Sequence, residues 1–146
     1  MHIAAVIKRK GSHVVSIAPD RTIAEAVSLL IKNGIGAVLV LDSTGDIRGI
    51  LSERDIVNGL SRYGGDAVGL QVDALMTRDV ERCSPHDTIA EVMEVMTERR
   101  TRHLAVIEDG KLAGLISIGD VVKQRLIDTN LEVETLRGYV SLRADQ

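Results

Sequence analysis

Apolar residues recur along this chain in two alternating rhythms. Ile23, Ala26, Val27, Leu30 and Ile31 follow the spacing of one helical face, and Ile89, Val92, Met93 and Met96 repeat it. Each stretch opens on a Thr with a Glu three residues later, Thr22 with Glu25 and Thr88 with Glu91, the signature of a capped helix start. Gly34 closes the first helix. Short runs rich in branched residues come next, at 37–41 and 104–107, and each leads through a Gly/Asp turn into a second run, at 47–51 and 112–116. These read as strands. Shorter strands at 14–17 and 80–84 precede the helices, and a second helix opens at Ser52 and again at Ser117. The pattern predicts a β-α-β-β-α unit written twice.

Identical residues confirm the duplication. A shift of 66 positions sets Pro19 on Pro85, Thr22-Ile23-Ala24-Glu25 on Thr88-Ile89-Ala90-Glu91 and Val40 on Val106. One residue is lost in a turn. The shift is then 65, and Gly45 meets Gly110, Gly49 meets Gly114, Ser52 meets Ser117 and Asp55 meets Asp120. An internal repeat of this kind constrains the fold before any single element does. The first copy spans 10–60 and the second 75–127, joined by a Gly-rich polar linker over 61–74. Leu131, Val133, Leu136 and Val140 mark an extra helix within a C-terminal segment, 128–146. One copy alone is too small to bury its sheet face well, so two copies are expected to pack through their sheets into one α/β module.

Composition narrows the function. The hydrophobic fraction of 45% supports a real core, yet there is no Phe or Trp and only Tyr63 and Tyr139 are aromatic. Platforms for stacked bases are therefore lacking, and a net charge of -3 offers no footprint for nucleic acid. No apolar run approaches the roughly 18 residues of a membrane span. The N-terminus, MHIAAVIKRKG, places its apolar run before its basic residues, the reverse of a secretory signal. Cys83 is the only cysteine, so no intramolecular disulfide forms. The sequence reads as soluble and cytoplasmic, without a membrane or nucleic-acid partner. His2, His13, His86 and Cys83 lack metal-ligand spacing, and no nucleophile elbow or P-loop is present, so neither a metal nor a catalytic site is assigned.

The repeated motif Gly-x-x-Ser-x-x-Asp, at Gly49–Ser52–Asp55 and Gly114–Ser117–Asp120, carries the chemistry, and two readings stay open. Ser and Asp serve as a helix cap and a first-turn acid that complements the helix dipole. The same geometry also offers a carboxylate to the adjacent hydroxyls of a ribose, at about 1.5–3 kcal/mol per charge-assisted hydrogen bond. The helix-start N–H groups and the Ser hydroxyl suit a ribose oxygen or a phosphate, and the glycine admits close approach.

The duplicated units, the Gly-x-x-Ser-x-x-Asp ends and the run Arg102-His103-Leu104-Ala105-Val106 resemble the CBS domain, named for cystathionine β-synthase. The resemblance covers 10–60 and 75–127. It implies a pseudo-two-fold pair that binds adenosyl ligands (AMP, ADP, ATP, S-adenosylmethionine, in some members NAD) and senses rather than catalyses, with energy sensing among its roles. It further implies shared pockets. Ser52 and Asp55 are expected to work with Thr101, Arg102 and His103. Ser117 and Asp120 are expected to work with Val15, Ile35, Gly36 and Ala37, with Lys10 lining that second pocket. Arg54, Arg102 and His103 would make the first pocket the richer in cations; Arg54 as a solvated helix residue and His103 as a satisfied strand histidine are the competing readings. The expectation is a non-enzymatic regulatory module, a homodimer through its C-terminal helix, that signals to a protein effector. The rivals are a structural or dimerisation scaffold with vestigial pockets, and a fragment of an enzyme such as inosine monophosphate dehydrogenase, whose regulatory insert shares the resemblance.

Overall fold

The computed structural model describes the backbone of residues 1–144 and the side chains of residues 1–138. The chain divides into two units, His13–Val80 and Met1–Ser12 with Glu81–Gln146. The two follow the same plan.

In the unit of the first repeat, β1 (Ser16–Ile17) lies parallel to β2 (Ala37–Leu41), which pairs antiparallel with β3 (Ile47–Ser52). Helix α2 (Ile23–Asn33) crosses between β1 and β2 and buries Ile23, Ala26 and Leu30. Its start is capped as the sequence predicts, the Glu25 N–H donating to Thr22 Oγ1 at 3.2 Å. Its end is Gly34 at φ 61°, a left-handed position that glycine takes without a Cβ penalty. Helix α3 (Glu53–Tyr63) follows β3 directly. The core joins α2 to Val38, Val40 and Leu51 of the sheet and to Val72 and Met76.

Val72 corrects the sequence reading of 61–74. The segment is not a loop-like tether. It continues α3 to Tyr63, makes a 3₁₀ turn (Gly64–Gly69) and then a short helix, α4 (Val72–Leu75). Ala67 and Val72 are fully buried, and the Val72 N–H donates to the Arg21 carbonyl at 2.7 Å. The glycines drew attention to turns, while Ala67, Leu70 and Val72 between them carried the packing signal.

The second unit repeats the topology. Strand β4 (Arg82–Cys83) is parallel to β5 (His103–Glu108), which is antiparallel to β6 (Lys111–Ser117), with α5 (Ile89–Arg99) crossing over. Thr88 caps α5 at 3.1 Å from the Glu91 N–H. Where the first repeat ends this helix on Gly34, the second ends it on Arg100, a non-glycine held at φ 51°.

A helix that the sequence reading did not assign completes this unit. Helix α1 (Ile3–Lys10) inserts Ile3 and Val6, both fully buried, among Val92, Leu104, Val106 and Ile116. Backbone bonds from Ile3 to Asp87 and from Ala4 to Pro85, each 2.9 Å, seat its start beside α5. Its signal, Ile3-Val6-Ile7 at helical spacing before Gly11, had been weighed only as a targeting segment.

The chain ends in α6 (Ile118–Ala144), one helix of 27 residues in place of the two that were expected. No Gly or Pro stands between Gly119 and Gly138, so nothing interrupts it. It buries Val121, Gln124 and Asp128, and Gln124 Nε2 donates to Asp128 Oδ1 at 3.0 Å. The Val140 side chain lies outside the described residues. Among those described, no helix is long and apolar enough to cross a membrane.

Candidate functional site

Both motifs stand where a strand passes straight into a helix, and their internal geometry matches closely. The Ser52 N–H donates to Asp55 Oδ2 at 2.9 Å, and the Ser117 N–H donates to Asp120 Oδ2 at 2.9 Å. The Asp55 N–H returns to Ser52 Oγ at 3.3 Å, and the Asp120 N–H to Ser117 Oγ at 3.2 Å. The capping reading is therefore correct at both helices. A carboxylate has acceptor capacity for about four hydrogen bonds, so capping does not exhaust it.

The two carboxylates differ in what else they hold. Asp55 accepts from the Thr77 hydroxyl at Oδ1, 3.0 Å, a neutral partner from beyond α4. Asp120 accepts from the Lys10 ammonium at Oδ2, 2.7 Å, and Lys10 also donates to the Leu115 carbonyl at 2.8 Å. Arg9 adds a bond to the Asp120 carbonyl at 3.1 Å. Burial by itself raises the Asp120 carboxyl; the bonds and charge of Lys10, with the Ser117 donors, outweigh it and hold the group below the usual carboxylate range.

The motif glycines have a role that the sequence reading did not assign them. A Cβ on Gly49 would stand 2.7 Å from the Thr77 carbonyl oxygen and 2.8 Å from Met76 Sδ. On Gly114 it would stand 2.6 Å from Ile7 Cδ1. Gly49 makes room for the segment that leads into the second repeat, and Gly114 for the helix that precedes the first.

The other candidates gather by repeat. Ala37 is the register partner of Ser52, and the Glu53 N–H donates to the Gly36 carbonyl at 3.0 Å. Ile35 and Gly36 lie on one wall of an apolar cleft of about 570 Å³, shared with Val27, Ile56 and Val57 and with Glu53 as its charged member. Val15 packs against the core of the same unit, and Arg54 is exposed in the first turn of α3. In the second unit His103 is the register partner of Ser117, the Ile118 N–H donates to the Arg102 carbonyl at 2.8 Å, and the Thr101 hydroxyl donates to the His103 carbonyl at 3.1 Å. Thus Arg102, His103 and Lys10 come to Ser117 and Asp120 within one unit. The sequence reading had assigned Arg102 and His103 to Ser52 and Asp55. Within the unit of Ser52 the neighbours at the helix mouth are Gly36 and Ala37. Thr77 and Arg9 were not anticipated; the KRK run at 8–10 was the nearest signal for Arg9, and Thr77 had none.

Two titratable groups lie apart from these sites. Cys83 is buried in the core of the second unit, where desolvation, with a smaller push from Asp87, raises its thiol to about 12. Among the described residues, no three His, Cys, Asp or Glu side chains stand together as a metal site would require.

A duplicated β-α-β-β-α unit whose second helix opens on Ser-x-x-Asp defines the class. The family model described as CBS domain matches residues 6–62 and 72–126, and the chain belongs to this family as a tandem CBS module. It is similar to the CBS-domain containing protein ATU1752 of Agrobacterium tumefaciens, at 44% identity and a TM-score of 0.83 over 85% of this chain and 92% of that one. It is 33% identical over 111 residues to a 17.7 kDa protein of Acidianus ambivalens, covering 75% of this chain and 66% of that protein. The CBS domain pair of protein MJ0100, 19% identical with a TM-score of 0.75 over 85% of this chain and 98% of that one, shares the fold; its structure is a complex with 5′-methylthioadenosine and S-adenosylmethionine.

Proposed function

We propose that this CBS pair is a non-enzymatic regulatory module that binds an adenosyl ligand, forms a homodimer and passes the bound state to a protein partner. The observation that carries the reading is the equivalence of the two helix mouths, each with a Ser donor set and an Asp acceptor in the same geometry. Ribose hydroxyls would pair with Asp55 and Asp120, and the base would lie on apolar and backbone surface such as Ile35, Gly36 and Ala37. A protein of the same fold that carries S-adenosylmethionine makes adenosyl compounds the class to test first.

The arrangement of cations favours phosphate-bearing ligands at Ser117 and Asp120. Lys10 and Arg9 bond there, and Arg102, just before the strand beside it, accepts from the Ile118 N–H through its carbonyl. Arg pairs with phosphate through two parallel bonds and stays charged at any working pH. Occupation would draw Lys10 partly from Asp120 towards the phosphate.

The test is a thermal-shift panel of AMP, ADP, ATP, NAD, NADH and S-adenosylmethionine on the wild type, Asp55→Ala and Asp120→Ala. A ligand at 100 times its dissociation constant stabilises by about 2.7 kcal/mol. Loss of the shift in one Asp variant supports the reading. No shift from any ligand supports the scaffold with vestigial pockets.

A further inference from the structure

We propose that α6 pairs with α6 of a second copy of this chain as a parallel two-stranded coiled coil from Val122 to Leu136. The inference rests on the homodimer proposed above and names the surface that forms it. Helix α6 has two distinct faces. Val121, Gln124 and Asp128 are buried. Around the helix, Val122 and Leu126 are 43% and 59% exposed, and Val133 and Leu136 are 39% and 64% exposed. With Thr129 between them, these residues are spaced four, three, four and three apart. That spacing averages 3.5 residues and keeps one seam facing a partner helix along its length. Leu131, 52% exposed, falls off the seam.

The seam's residues fit a pair. With Leu126 and Val133 at the a positions, Val122, Thr129 and Leu136 occupy d; the Val133 and Leu136 layers place Val at a next to Leu at d, the two-strand preference, while Leu126 with Val122 and Thr129 reverses it. Flanking charges select the direction. In a parallel register Glu132, at g, meets the following e position of the second copy, which is Arg137. An antiparallel pairing of the same layers, with Thr129 opposite Val133, would set Glu132 against its own copy and Lys123 against Arg137. So short a coiled coil is marginal as a free peptide because helix nucleation is costly. Here α6 leaves a folded unit already helical, so nucleation is complete.

The experiment uses the full chain. Sedimentation equilibrium is run on the wild type, Leu126→Asp, Leu136→Asp and the off-seam control Leu131→Asp, with circular dichroism to confirm folding. The expected result is a dimer for wild type and Leu131→Asp, and a halved mass for folded seam variants. Separately, Thr129→Cys is oxidised; a parallel register brings the two new thiols together and yields a covalent dimer, with buried Cys83 as a silent background. Folded seam variants that stay dimeric would overturn the α6 surface and leave the homodimer standing. A dimer in which Thr129→Cys does not cross-link would overturn the parallel register. A monomeric wild type would overturn the homodimer and this inference together.

Discussion

Lys10 reaches Asp120 across 110 positions of sequence and closes on it at 2.7 Å, while the equivalent Asp55 receives, from beyond its own motif, the neutral hydroxyl of Thr77. The two halves of a duplicated site therefore differ in charge although their own motif residues match. The folded state depresses the Asp120 carboxyl below its ordinary value of 3.8. A depressed carboxyl stabilises the fold fully above that ordinary value, and the contribution is lost as pH falls through the lowered one. The pair is partly exposed, with side chains 37% and 24% accessible, so solvent and salt weaken it. Lys10→Met should lower stability near neutral pH and flatten the loss of stability as pH falls below the ordinary value of 3.8. Urea titrations at a series of pH values measure both; an unchanged acid limb would count against the contact.

The motif glycines should respond unequally to a methyl group. At Gly49 the obstacle includes the backbone carbonyl of Thr77, which cannot move without its strand bridge to Ile50; at Gly114 it is the terminal carbon of Ile7, which can rotate. Overpacking typically costs about 1–3 kcal/mol. Gly49→Ala should fall in that range and exceed Gly114→Ala, as read by chemical denaturation. Equal or reversed effects would contradict this packing.

Arg100 occupies a left-handed position that its counterpart Gly34 fills without strain. Left-handed backbone costs an ordinary residue about 1–2 kcal/mol. Arg100→Gly should recover part of that and raise the thermal midpoint, whereas Gly34→Arg should lower it. Differential scanning calorimetry on both variants decides the matter.

Burial and the raised thiol make Cys83 a poor nucleophile in the native protein. A chromogenic disulfide reagent should label it only as fast as the chain unfolds, with the rate rising steeply in denaturant. Prompt labelling under native conditions would place Cys83 outside the core.

The repeated elements were legible because each carried several signals at once: Thr22 and Thr88 as caps, Gly34 as a stop, and the branched run Ala37–Leu41 as a strand. The packing elements were not. Helix α1 is only eight residues long and its apolar stripe is weighed only against a secretory signal, while α4 follows closely on the glycine-rich turn of 64–69. Ser52, Asp55, Ser117 and Asp120 announced themselves by repetition. Lys10 came to the pocket of Ser117 and Asp120 through the family resemblance, whereas Thr77 had no such signal, since a partner 22 positions away leaves no periodic trace. The motif glycine left its packing role unread, because a pattern shows that a side chain is forbidden and not what forbids it.

The seating of α1 imposes an order on biosynthesis. The unit His13–Val80 is contiguous and has all its contacts within reach once its last residue has left the ribosome. The other unit is split. Ile3 and Val6 are translated well before the residues that enclose them, Val92, Leu104 and Ile116. Domains fold as units during synthesis, and apolar surface awaiting its partners invites misassembly. Ile3 and Val6 thus emerge well before the residues that house them, and until β6 is made their apolar side chains lack that cover.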